Sequence, residues 1–361
     1  MGGLGVPPTT KPPGAFVLSL DLQLYWGLHH RRPLDHRCRQ LLLRTRRAVP
    51  RLLKLLERFD VRATWAPLGL VICRTKDEVL ENLPARLPAY GDLKLSPFTQ
   101  IPSIGEDEGE DPYHFGASLV EAVADHPGQE LAAHTFCIFR GREDGAGDTE
   151  FEADLRANLA LTRQRGWIVR SLVMPDDHLS PEQLRIAQAL GLTTYRCPPP
   201  VWPYKFETQA QPAPARHLLR RIVGVADRVL PLTGTRCVAG LPDQFTSPVA
   251  VPTTRRLWPV PPGSRAIDAL QRRRLFAELD AAAHRGQIFH LFSPLRDFGR
   301  RSERQLALLE RLLLRFDGWR RLGRMRSMTM HEIYMHRRGE LATDDASQKS
   351  PPASVFRADR R

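Results

Sequence analysis

The chain has 361 residues, 42% of them hydrophobic and 26% charged, which excludes a fibrous repeat, a disordered chain and a disulfide-stapled miniprotein. Its formal net charge is +13, a surplus that raises nucleic acid, an anionic membrane or an acidic glycan as partner. All but six of the 53 basic residues are arginines; such a skew follows genome base composition, so a solvated arginine surface is the simpler reading. The five cysteines, Cys38, Cys73, Cys137, Cys197 and Cys237, form no CxxC pair, so reduced thiols in a cytoplasmic protein are expected. The N-terminal MGGLGVPPTTKPPG has no apolar core of signal-peptide length. No stretch approaches the roughly 18–20 apolar residues of a membrane span.

In chain order, residues 1–14 are expected to be loose and Phe16–Leu20 to form a buried strand ending at Asp21. Cys38–Phe59 is an amphipathic helix with Pro50 inside it. Val61–Ala66 is the next strand, and residues 77–112 look irregular. Gly116–Ala124 and Phe151–Arg165 read as helices, and Glu130–Ala133 as a strand entering His134. Trp167–Met174 is a strand, and Ser180–Pro181 opens another helix. Thr193–Arg196 is a short strand. Residues 198–265 are proline-rich, with a helix expected around His217–Val229. The end reads as helix Arg265–Arg285, strand Gln287–Leu291, helix Ser302–Phe316 and strand Arg326–Met330, then a polar tail from 337 to 361. Short apolar strands alternating with helices imply an α/β fold with a mainly parallel sheet. About seven strands in a single domain, residues 15–336, fit a distorted (β/α) barrel.

The polar residues that follow these strands are the candidates for chemistry, because strand C-terminal ends converge at the mouth of such a barrel. They are Asp21, His134, Asp176, Asp177, Arg196 and His290, with Trp26, Trp65, Tyr195, Trp202 and Tyr204 as a possible aromatic platform. Singly each has a plainer reading: a turn or helix cap for the aspartates, a satisfied core residue for the histidines, packing for the tryptophans. With Asp297 added, the mouth is expected to be locally acidic within a basic shell.

Six segments in order give these residues a context: SLDLQLYWG (Ser19–Gly27), ATWAPLG (Ala63–Gly69), ELAAHTFCI (Glu130–Ile138), VMPDD (Val173–Asp177), LGLTTYRC (Leu190–Cys197) and FHLFSPLRDFG (Phe289–Gly299). In order and spacing the chain resembles the polysaccharide deacetylase family from about Phe16 to Ile333. The resemblance implies metal-assisted removal of acetyl groups from N-acetylated carbohydrate. Asp21 takes the base position, His290 the acid position, His134 a metal-ligand position, and Trp26, Trp65, Tyr195, Arg196 and Trp202 would contact substrate.

The sequence departs from the family where the metal would sit. Leu22 and Gln23 stand where carboxylates are expected, and Ile138 stands where the second histidine of an HxxxH pair is expected. One histidine and one carboxylate fall short of the three protein ligands of a catalytic zinc, so a zinc-like site is depleted. The expectations are therefore a hydrolase acting on a carbon–nitrogen bond of a carbohydrate, or a relative that binds a glycan, sugar nucleotide or protein without turnover. Nucleic-acid binding ranks last for want of a reading motif, and no membrane association is expected.

Overall fold

A computed structural model describes residues 12–199, 234–238, 247–259 and 265–339. Trp202, Tyr204, the helix expected at 217–229 and most of 198–265 lie outside these residues.

The first strand sets the architecture. β1 (Gly14–Leu22) is buried along its whole length because its alternate residues serve two cores. Phe16, Leu18, Leu20 and Leu22 face an outer layer, where they join the apolar stripe of helix His36–Arg58, including Val49, Leu52 and Leu56. Ala15 and Val17 face an inner core with Ala66, Val173, Val251 and Ile288. Ser19 and Asp21 continue that inner row toward the strand end.

The other strands are β2 (Ala63–Pro67), β3 (Gln129–Leu131), β4 (Ser171–Leu172), β5 (Thr194–Cys197), β6 (Val249–Pro252), β7 (Arg255–Arg256), β8 (Ile288–Pro294) and β9 (Met325–Ser327). One sheet runs β3-β2-β1-β8-β7, with β9 on the start of β1, and a second runs β4-β5-β6. All the pairings are parallel. A bridge between Ala133 and Leu172 joins the sheets on one side. On the other, β6 pairs with β5 and the same run of chain continues into β7, which pairs with β8. The circuit is that of a distorted (β/α) barrel, with more strands than expected and with β1 and β8 longer than expected. Only Ser171–Leu172 of the expected strand 167–174 is paired.

Helix starts follow their local signals. Ser180 accepts from the backbone N–H of Gln183, whose side chain accepts in return from Ser180 N. Thr329 and Glu332 form the same reciprocal cap on helix Met330–Arg337, which was not anticipated. Met330 and Ile333 of that helix close the inner core. Lys76–Glu81 is also helical, capped by Thr75, within the stretch expected to be irregular.

Gly299 lies against Leu41 and Thr45 of helix His36–Arg58, so close that a Cβ would overlap the Thr45 hydroxyl and the Leu41 carbonyl. Gly299→Ala is expected to cost about 1–3 kcal/mol of folding stability through overpacking, measured by urea unfolding; an unchanged midpoint would contradict this close approach.

Candidate functional site

Register brings the polar strand ends together. Asp21 is level with Ala66 of β2 and Pro294 of β8, at the C-terminal ends of all three strands. Across the barrel, β5 points Arg196 inward. Its guanidinium donates to both Asp21 oxygens (2.5 and 3.2 Å) and, through Nε, to Asp177 Oδ1 at 2.6 Å. It also donates to Ser19 Oγ (3.3 Å) and lies over the Phe292 ring, 4.9 Å from its centroid. Arg196 is 2% exposed, so these carboxylates are what permits a charge at this depth.

The same arginine leaves its two partners in different states. Burial pushes the Asp21 carboxyl up, but Arg196, His134 and Arg296 more than offset this and hold it below the ordinary carboxylate range. Asp177 receives one N–H and faces Asp21 and Asp176, so burial dominates and its pKa is raised. Asp21 is therefore ionised, paired and a weak base.

His134 is fixed from both sides. Nδ1 donates to Val173 O at 2.5 Å, and the Gln23 amide nitrogen, which can only donate, points at Nε2 from 2.6 Å. Gln23 Oε1 accepts in turn from Arg296 Nη1 at 2.7 Å. Burial, aided by Arg196 and Arg296, lowers the His134 pKa to about 4, so the ring is neutral and its one lone pair is taken by an amide.

The backbone around these groups is held under strain. Leu24, Thr135 and Asp177 have φ values of 46°, 67° and 54°, a region costly above all for β-branched threonine. The Thr135 turn is secured by helix Asp148–Gln164: Asp154 accepts from Phe136 N and Cys137 N (2.6 and 3.1 Å), and Asn158 donates to Thr135 O at 2.8 Å. Burial raises the Asp154 pKa to about 6.

His290 is level with Val17, four residues deeper than Asp21. Its Nε2 lies 2.9 Å from Ser19 Oγ. Ser19 already accepts from Arg196, which leaves its proton to donate to the ring. Burial, then Arg196, lowers the His290 pKa to about 3. Near neutrality the ring is therefore neutral and lacks the imidazolium proton that the expected general-acid role would use.

The aromatic platform does not form as expected. Trp26 is fully buried, donating to His114 O at 2.9 Å. Trp65 is 1% exposed in the outer core and donates to Gln129 Oε1 at 2.9 Å. Tyr195 packs against the outer core because it alternates with inward-facing Arg196. None of the three presents a ring to the mouth, and Trp202 lies outside the described residues.

The expected acidic mouth is also corrected. Asp21 and Asp177 share the single charge of Arg196, and Asp297 pairs with Arg256 at 2.5 Å. Arg296 was not singled out from sequence, although the Arg296–Asp297 pair directly after β8 was a readable sign. Arg31 Nε donates to His30 Nε2 at 2.8 Å, and Arg140 Nη2 lies 2.9 Å from the same nitrogen. Burial, then Arg140, Arg31 and Arg296 among others, takes the His30 pKa down to about 3. Arg296, pressed by burial and by Arg256 and Arg31 against the pull of Asp297 and Asp21, falls to about 10.

No family model matches the sequence, and no curated protein matches it. Solved structures do. A Mycobacterium smegmatis protein named as a polysaccharide deacetylase superposes with a TM-score of 0.56 at 15% identity, over 98% of this chain and 97% of that one. Another so named, from Pseudomonas aeruginosa PAO1, gives 0.50 at 14% identity, over 91% and 92%. The fold is that of the polysaccharide deacetylases.

A divalent metal, which that fold implies, does not fit the residues present. Among the described residues no group of three or more His, Cys, Asp or Glu converges on a point that could hold one. Leu22 and Ile138 are buried in the outer core. The Cys137 thiol, raised well above its ordinary value by burial and Asp154, is no thiolate ligand. Where a cation would sit near Asp21 and His134, the protein supplies the Arg196 guanidinium and the Gln23 amide.

Proposed function

We propose that this chain binds an acidic carbohydrate at the strand-end mouth and does not hydrolyse N-acetyl groups by metal-assisted chemistry. The observation that carries this reading is the closed pair of contacts at the centre: Arg196 on Asp21, and the Gln23 amide on His134. Together they occupy the base and the ligand nitrogen that hydrolysis would need free. A carbohydrate is suggested by the fold, whose solved relatives are named for polysaccharides. An acidic one is suggested by Arg31, Arg140 and Arg296 near the mouth, where a carboxylate would be recognised by bidentate guanidinium contacts.

Two measurements test it. Acetate release from N-acetylated oligosaccharides is expected to stay at background with added zinc, cobalt or nickel; metal-dependent release would restore the hydrolase reading. Calorimetric titration is expected to show uronate-containing oligosaccharides binding at least fivefold more tightly than neutral ones, with Arg140→Ala removing the preference. Equal affinity for both would sink the acidic-ligand assignment. The pH dependence follows from Arg296: it is charged below about 10 and loses its proton above it. Affinity should therefore be flat from neutrality upward until the pH approaches that value, then fall.

A further inference from the structure

A cavity of about 570 Å³ opens between the exposed side of helix His36–Arg58 and the start of helix Ser302–Arg321. None of the residues around Asp21 and His134 lines it. Six arginines do: Arg44, Arg47 and Arg51 from one helix, and Arg300, Arg301 and Arg304 from the other side. The first three are spaced i, i+3 and i+7, so they share one helical face.

Elsewhere on the basic surface several arginines are held in ion pairs. On the same helix, Arg46 binds Glu108 and Arg58 binds Glu310. In the cavity Arg51 alone is matched, by a two-pronged contact to Glu303 at 2.6 and 2.8 Å. Among the described residues no carboxylate pairs with Arg44, Arg47, Arg300, Arg301 or Arg304.

Two electrostatic penalties coincide there. Like charges one turn apart on a helix repel. Arg300, Arg301 and Arg304 also surround the positive end of a 20-residue helix, whose N-cap is Arg301 and which no side chain caps. The acid in its first turn, Glu303, is already engaged by Arg51. A multiply charged anion would relieve both penalties at once.

We infer that this cavity binds a compact polyanion with clustered phosphate groups. Five unmatched guanidiniums in so small a volume suit a ligand with several charges on adjacent centres, and guanidinium forks match phosphate oxygens. No aromatic residue lines the cavity, so it offers no stacking platform for a nucleobase; recognition is of the phosphate chain.

The test uses the full chain and inorganic tripolyphosphate, titrated calorimetrically at low and high salt. Binding is expected, weakening as salt rises. Arg47→Ala with Arg304→Ala should lower affinity at least tenfold. Arg86→Ala with Arg163→Ala, which removes the same charge from exposed positions elsewhere, should change it less than twofold. Absent binding, or equal losses in both double variants, would overturn the site. A linear tricarboxylate should bind at least fivefold more weakly; parity would overturn the phosphate assignment. A short single-stranded oligonucleotide that binds more tightly than tripolyphosphate through Arg47 and Arg304 would overturn the compact-ligand reading.

Discussion

Arg196→Met is expected to cost about 3–5 kcal/mol of folding stability near neutral pH, the range for removing one partner of a buried ion pair. The substitution keeps the side-chain length and removes the charge. It leaves Asp21 and Asp177, both deep and close enough to repel, without their shared cation. The sign of the pH dependence distinguishes this from a packing defect. In the native chain the Asp21 pKa lies below its unfolded value; its contribution is present above the unfolded value and is lost as pH falls through the folded one. Without Arg196, burial acts unopposed and raises that pKa, so the variant is penalised when Asp21 ionises and relieved when it is protonated. The gap between wild type and variant should narrow as pH falls from about 7 to about 4. Adding Asp21→Asn should recover part of the loss at neutral pH. Denaturant unfolding at both pH values checks each statement; a deficit that is equal at both, or below about 1 kcal/mol, would contradict the role assigned to Arg196.

Wild-type protein is expected to bind zinc no more tightly than about 100 µM, a weak affinity worth only about 5 kcal/mol. A divalent ion at His134 would have to displace the Gln23 amide and sit near two guanidiniums. At an effective dielectric near 20, each such like-charge contact at about 5 Å costs several kcal/mol. Gln23→Glu combined with Ile138→His should raise zinc affinity at least a hundredfold, because it replaces the amide by a carboxylate and adds a second imidazole from the same turn. Gln23→Glu alone, which leaves the outer core untouched, should give a smaller gain. Equilibrium dialysis against a zinc indicator reads all three. Micromolar binding by wild type that His134→Ala abolishes would show that the site accepts metal as it stands. No gain in folded variants would show that Gln23 and Ile138 do not occupy ligand positions.

The barrel and most of its elements were legible because they rest on local periodicity. Phe16–Leu20 is a short, nearly continuous apolar run, the pattern of a buried strand, and the strand formed there is buried throughout. The capping signal at Ser180 and the apolar stripe of helix His36–Arg58 were equally readable. Strand lengths were not: Trp167–Val169 has strand-forming residues, yet pairing needs a neighbour in register, and β4 finds one only at Ser171–Leu172.

At the site, the sequence by itself determined that Leu22 and Ile138 offer no ligand atom, wherever the chain places them. It also placed Asp21, His134, Arg196 and His290 at or in expected strands, and whether those strands converge was for the fold to decide. Only the tertiary structure decided what faces Asp21 and His134. Arg196 lies 175 residues from Asp21, and Arg296 lies 273 from Gln23, so no local pattern could pair them. Burial had the same standing: Trp26 and Trp65 are aromatic residues next to site motifs in sequence, but their orientation follows from which face of each element meets the core. The net charge of +13 was a sum without positions. Charge acts through distance and dielectric, so its meaning became readable once the fold gathered six arginines around one cavity, five of them without a carboxylate partner among the described residues.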